Sequence, residues 1–301
     1  MSTTTTNPAA APDVTVEKKP FEGEVYDVMG GSGRWEVKVH DHGLVALVDV
    51  MPRLVPVGKT ADFAIVQAAR VSYGAGTKQV NEDTGLIRYL ARHRHSTPFE
   101  MVEFKFHHVM PIFVARQWIR HRTANVNEYS ARYSIVRDRF YKPSPDNVRK
   151  QSISNRQGGD EPMEPQTAQE FLDYLDEVER GYQKYQHFID KGVAREIARI
   201  TLPASVYTEW YWKIDLHNLL HFLSLRMDAH AQQEIRDYAT AMYALVKPIV
   251  PIAAQAFLDY NFGGLHLTRL EIEAIQTGQP LATTNKREAA EWDEKKKRLG
   301  L

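Results

Sequence analysis

Residues 206 to 214 read Val-Tyr-Thr-Glu-Trp-Tyr-Trp-Lys-Ile, a stretch that sharply restricts what this chain can fold into. Val206, Thr208, Trp210, Trp212 and Ile214 alternate with Tyr207, Glu209, Tyr211 and Lys213. Period-two alternation built from aromatic and β-branched residues specifies a strand. Rings stand on both sides, so both faces of that strand should be at least partly covered. A second alternation, over residues 101 to 109, sets Val102, Phe104 and Phe106 against Glu103, Lys105 and His107, the pattern of a half-buried strand.

Helical periods occupy much of the remainder. One helix is expected from Asp62 through Phe63, Val66 and Ala69 to Arg70, and another over residues 85 to 95 with Leu86, Ile87 and Leu90 inward. Arg92, His93 and Arg94 suit the negative end of that second helix. From Thr167 a long helix should bury Phe171, Leu175, Val178, Tyr182, Tyr185 and Ile189 and stop at Gly192. Asp215 can cap the next helix, running to about Asp228. A last one, from Ala231, is broken by Pro248 and Pro251 and ends near Gly263.

Gly30, Gly31 and Gly33 lead into the alternating Trp35, Val37 and Val39, so they mark a turn entering a strand rather than a phosphate loop. No G-x-G-x-x-G pattern occurs, so no Rossmann fold is expected. The fold class is therefore α+β, a single domain with a helical part and an antiparallel or mixed sheet. Residues 1–20 are expected to be a disordered tail, 21–264 the domain, and 265–301 a peripheral C-terminal extension. Residues 143 to 166, rich in Pro, Ser, Asn, Gln and Gly, read as a surface excursion.

The chemistry concentrates in residues 117 to 132. Ile112, Ala115, Trp118 and Ile119 fall on one side of a helix that follows Pro111, while Gln117, Arg120 and His121 fall on the other. Then come Arg122, Asn125, Asn127, Glu128, Ser130 and Arg132. Asn125, Asn127 and Ser130 suggest a loop. A core cannot hold that density of charge unpaired, and a solvated helix face would mix in Lys, of which this stretch has none. Arg in place of Lys points to planar, bidentate contact with a phosphate or a carbonyl-rich ring.

Composition narrows the possibilities. Acidic and basic residues balance at 38 each, so no overall field draws the chain to nucleic acid or membrane. With no run of membrane-spanning length and no hydrophobic signal segment, a cytoplasmic protein is expected. The absence of cysteine removes disulfides, thiolate metal sites and a cysteine nucleophile.

Arg120-His-Arg122, seven residues and Ser130, continuing through Glu128-Tyr-Ser-Ala-Arg132-Tyr-Ser, resembles the signature of the flavin-dependent thymidylate synthases. Three further blocks are similar to that family: His95-Ser-Thr97-Pro-Phe-Glu100, Ala194-Arg-Glu-Ile-Ala-Arg199-Ile-Thr-Leu-Pro203 and Leu223-Ser-Leu-Arg226-Met-Asp-Ala-His230-Ala-Gln. The resemblance implies methylation of dUMP to dTMP, with carbon from 5,10-methylenetetrahydrofolate, NADPH as reductant and FAD as cofactor. It also implies a homotetramer with shared active sites. By position, Gln117, Arg120, Glu128, Ser130, Arg132, Arg199 and Arg226 would contact dUMP. Thr97, Arg120, His121, Arg122, Glu128, Asp215, His217 and His221 would contact FAD, although some members carry Asn and Arg in the block that begins at Asp215. Arg226 and Ser130 are the candidates closest to the chemistry: Arg226 would favour the ionised uracil, and Ser130 would position the nucleotide without attacking it.

Two rival readings start from the same residues. His217 and His221 have the i, i+4 spacing of a helical zinc pair, but Asn218 stands where a metal hydrolase of that type needs its Glu. The Arg-rich loop with Tyr129 and Tyr133 could stack on single-stranded nucleic acid, against which the neutral charge weighs. On an ideal helix Arg226 points nearly opposite the His217 and His221 face, so the two faces would serve different sites.

Overall fold

The computed structural model describes residues 23–31, 33–72, 83–153 and 158–301. The expected tail over residues 1–20 lies outside them. Strands β1 (Val25–Asp27), β2 (Trp35–Val39), β3 (Gly43–Met51) and β4 (Leu54–Pro56) precede helices α1 (Asp62–Val71), α2 (Asp83–Arg92) and α3 (Thr97–Glu100). Next come β5 (Glu103–Pro111), α4 (Ile112–Trp118), β6 (Asn125–Glu128), β7 (Arg149–Gln151), β8 (Gly159–Pro162) and α5 (Pro165–Asp190). The chain continues through α6 (Arg195–Ala198), β9 (Tyr207–Asp215), α7 (Leu216–Arg226), α8 (Gln233–Val246), α9 (Pro251–Phe257), α10 (Arg269–Thr277) and α11 (Lys286–Leu299).

Five strands form the main sheet in the order β2-β3-β5-β9-β6, every pairing antiparallel. β1 pairs with β4, and β7 with β8, in two small ribbons. The α+β class with no Rossmann crevice is what the alternating stretches required. Phe104, Phe106, Trp210, Trp212 and Ile214 are buried in one core with residues of α1, α2, α4, α7, α8 and α9. The opposite face of β9 is more open than its aromatic content implied: Tyr211 is 45% exposed, stacked on His107 at 5.1 Å. Among the described residues no helix is long and apolar enough to cross a membrane.

Several elements depart from the pattern in the sequence. Residues 125 to 128, expected in a loop, form β6, an edge strand whose Asn125 pairs with Lys213 and Glu128 with Trp210. Polar side chains that disfavour a helix cost little on an exposed edge. Helix α4 stops at Trp118, so Arg120 and His121 sit on the turn beyond it rather than on a helical face, and Ile119 is exposed. Residues 143 to 166 hold a short 3-10 turn and the β7–β8 ribbon rather than pure loop. Along α5 only Ala168 and Tyr185 are buried; Phe171 is 44% exposed, and Leu175 and Val178 are half-buried. That helix is amphipathic, and its C-terminal half meets an apolar cluster through Tyr182, Tyr185 and Ile189.

The C-terminal elements form a helical hairpin. Thr268 and Glu271 make a capping box at the start of α10, and Lys295 of α11 reaches the same carboxylate at 2.8 Å while Trp292 is buried.

One buried carboxylate fixes α9, which lines a cleft beside α7. Asp62, at the start of α1, accepts the backbone N–H groups of Ile252 and Ala253, each at 3.0 Å, and so caps α9 from another helix. Burial pushes its carboxyl pKa up, while the two amides and the Thr60 hydroxyl pull the other way. Replacement by Ala leaves both N–H groups in a dry place without acceptors. Asp62→Ala is therefore expected to lower the unfolding free energy by about 2–3 kcal/mol, measured by chemical denaturation.

Candidate active site

Pro111 closes β5, and the seven residues of α4 then bury Val114, Ala115 and Trp118. Trp118 has no exposed surface; it stacks on Phe222 at 4.8 Å and meets Trp210 and Trp212 edge-on at 5.9 and 5.5 Å. With its last turn held on β9 and α7, α4 delivers Arg120, His121 and Arg122 beside α7. The expected cap forms there: Asp215 accepts the Asn218 backbone N–H at 2.9 Å. His217 and His221 then face a cleft of about 450 Å³ whose floor includes Leu90, Phe99 and Phe257.

Arg226 is the last residue of α7, and its Nε donates to Nε2 of His121 at 3.0 Å. The His121 ring lies 6.5 Å from that of His221. One protomer thus brings Arg226 and the histidine face to a single imidazole. The opposition expected from an ideal helix is removed, because Arg226 sits where the helix ends and its long side chain reaches back. Burial, then the Arg226 charge and His221, pull the His121 pKa down to about 4. His121 is therefore neutral near pH 7, with Nε2 bare and able to accept from Arg226.

A second cluster lies toward the other end of β9. Glu128 accepts the Thr208 hydroxyl at 2.8 Å. Ser130 Oγ accepts the Arg132 backbone N–H at 3.3 Å, and no imidazole or carboxylate among the described residues bonds that hydroxyl. Arg132 pairs with Glu196 at 3.4 Å, and Arg199 donates to the Glu196 carbonyl at 3.3 Å. Arg195, absent from the sequence-based site, joins them by donating to the Tyr133 carbonyl at 2.8 Å. Glu128 is paired with Trp210, so it lies ~16 Å along the strand from Asp215, five residues on.

The residues named from sequence therefore fall into two groups. Asp215 and His217 lie at the junction of β9 and α7, His121 meets His221 and Arg226 further along that helix with Arg120 and Arg122 flanking it in sequence, and α3, which starts at Thr97, packs against α7. Glu128, Ser130, Arg132 and Arg199 gather toward the other end of β9. Gln117, on α4, has its side-chain oxygen buried and without a hydrogen-bond partner among the described residues. The cleft also takes in Arg92, Arg94, His95 and Tyr260, which sequence reasoning read as a helix end or did not single out. Their signal was the run Arg-His-Arg-His over residues 92 to 95. Among the described residues no group of three or more His, Asp or Glu is placed to hold a metal ion.

The Arg226–His121 pair has a measurable consequence. An NMR titration of the His121 ring should give a midpoint near 4, and Arg226→Ala should raise it, since a neighbouring positive charge is removed. A histidine held neutral contributes stability that is present above its unfolded value, about 6.5, and lost as the pH falls toward 4. An unchanged midpoint in Arg226→Ala would remove the electrostatic link between the two.

The sequence pattern of the thymidylate synthase complementing protein family matches residues 53–252. A flavin-dependent thymidylate synthase of Dictyostelium discoideum is 71% identical over 286 residues, covering 95% of this chain and 94% of the relative. One from Wolbachia pipientis wMel is 55% identical over 242 residues, covering 80% and 82%. Among solved structures, the UMP/dUMP methylase PolB of Streptomyces cacaoi, bound with 5-Br UMP, is similar at a TM-score of 0.63 and 34% identity, over 75% of this chain and 98% of that one. These matches span both clusters, and the chain belongs to the flavin-dependent thymidylate synthase family.

Proposed function

We propose that this chain methylates C5 of the uracil ring of dUMP to give dTMP, using 5,10-methylenetetrahydrofolate as carbon donor, NADPH as reductant and FAD as cofactor. The relatives are named for a flavin-dependent thymidylate synthase activity, and the related methylase has been solved with 5-Br UMP and 5-Br dUMP. The observation that carries the reading is Arg226 held against neutral His121, whose ring lies 6.5 Å from that of His221 in the lining of the cleft.

FAD, when bound, supplies the hydride and redox chemistry, for which no cysteine nucleophile is needed. The 450 Å³ cleft, apolar below and edged by imidazoles, suits a planar ring system. Around that ring Thr97, Arg120, His121, Arg122, Asp215, His217 and His221 would hold the cofactor, with Glu128 completing the set. Arg226 donates one N–H to His121, which fixes the guanidinium plane and leaves its remaining donors and its permanent charge for an anionic uracil. The bare oxygen of Gln117 fits a ring N–H donor. Ser130, Arg132 and Arg199 present a hydroxyl and two guanidiniums suited to a nucleotide phosphate, which would displace the partly exposed Arg132–Glu196 pair.

The Ser130 end and the Arg226 end of each site would come from two chains. Shared sites in a homotetramer are part of this proposal. So is a cytoplasmic location, where all these ligands are dissolved.

Purified protein should be yellow with flavin absorption bands, and should form dTMP only when dUMP, methylenetetrahydrofolate and NADPH are all supplied. Ser130→Ala should slow turnover by roughly tenfold without abolishing it, as expected for one lost bond to a charged group. Colourless protein that does not take up added FAD contradicts the proposal. A covalent Ser130–uracil adduct seen by mass spectrometry would contradict the positioning role of the serine.

A further inference from the structure

The mouth of the histidine cleft carries charge that none of the roles above uses. Helix α2 ends at Arg92, and the turn beyond it is closed by the Arg94 N–H on the Ala91 carbonyl at 3.2 Å and the His95 N–H on the Leu90 carbonyl at 3.0 Å. That geometry places Arg94 in the left-handed region, at φ 58°. Glycine is the ordinary occupant of this position after a helix, because any Cβ is crowded there. The chain accepts a strained arginine where a glycine would close the turn better, and the arginine side chain lines the cleft.

Arg92 stands beside it, donating to the Tyr260 hydroxyl at 3.3 Å with its guanidinium 5.5 Å from the centre of that ring. Arg88 lies over the same ring at 4.7 Å but is neutralised by Asp259 at 2.7 Å. Neither Arg92 nor Arg94 has a carboxylate within ion-pair distance among the described residues. Tyr260 itself belongs to the π-turn Leu258–Phe262 at the end of α9, a backbone irregularity that recurs at functional sites. Two uncompensated guanidiniums at the entrance of a cleft with an apolar floor describe a subsite for a ligand with a flat ring and an acidic end.

We propose that Arg94, with Arg92, binds the oxyanion carried by the second ligand whose ring enters this cleft. That oxyanion is a glutamyl carboxylate of the reduced folate or a phosphate of the nicotinamide dinucleotide. Arg94 is then a specificity-determining residue toward ligands other than the flavin. The proposal rests on the function proposed above and assigns a residue which that reading left unused.

Arg94→Gly separates a binding role from a structural one, since glycine suits the backbone there. The variant should fold, with a Tm equal to or above that of the wild type, and should bind FAD as the wild type does. Calorimetry on FAD-loaded protein would then compare tetrahydrofolate with one and with three glutamates, and NADP+ with NAD+. If the folate tail is the source, tetrahydrofolate binding should weaken by roughly tenfold or more, and the advantage of the triglutamate should shrink. If the dinucleotide is the source, NADP+ binding should weaken in the same way. Arg92→Gln should weaken the same ligand to a smaller degree. The proposal is overturned if Arg94→Gly binds both ligands like the wild type, if only FAD binding falls, or if the wild type binds neither ligand. Wild-type protein that binds these ligands yet forms no dTMP would instead contradict the proposed reaction and leave the subsite standing.

Discussion

The burial of Trp118 against β9 and α7 is the contact on which the arrangement of the site depends. Its ring touches Phe222, Trp210 and Trp212, so one side chain ties the short helix α4 to the strand and to the helix that carries His217 and His221. The turn that begins two residues later can only emerge beside α7. Arg120, His121 and Arg122, too polar to be buried unpaired, are held beside α7 by an aromatic anchor. The Arg226–His121 bond follows from that placement, and so does the neutral state of the imidazole. An aromatic contact thereby sets an electrostatic one.

Strand β9 is the second element on which the site depends. It is paired along its length with β5 and over four residues with the edge strand β6. The signature stretch begins at one end of β9 and, after crossing it as β6, finishes at the other. Groups adjacent in sequence, Arg122 and Ser130, are therefore separated in space, while groups a hundred residues apart, His121 and Arg226, touch. The Ser130 hydroxyl lies past the Glu128 end of β6, while the Arg226 guanidinium bonds His121, before that strand begins. On the proposed reading a second copy of the chain supplies the end that one copy lacks.

Much of this was legible in the residues. The alternation of 101 to 109 and of 206 to 214 yielded β5 and β9 with their buried faces, and Asp215 capped α7 as its position suggested. Other features depend on tertiary context that a single sequence does not display. The polar run Asn125–Glu128 has no strand signature and pairs only because β9 presents an open edge. Phe171 lies on the apolar stripe of α5, yet 44% of it stays exposed among the described residues. Ideal helical geometry set Arg226 against the histidines; the reach of a long side chain at a helix end brought them together. The run Arg-His-Arg-His reads in sequence as compensation for a helix dipole, and only the left-handed backbone at Arg94 distinguishes it from that role.

The central claim, that each active site draws the Ser130 end from one chain and the Arg226 end from another, is open to direct test. Two inactive variants, Arg132→Ala/Arg199→Ala and His121→Ala/Arg226→Ala, can be co-expressed with different affinity tags, and the mixed oligomers isolated through both. The account predicts that mixed oligomers regain a fraction of wild-type dTMP synthesis, because some sites then receive both intact ends. If verified mixed oligomers remain as inactive as either parent, both ends serve one site within a single chain, and the division of labour along β9 is wrong.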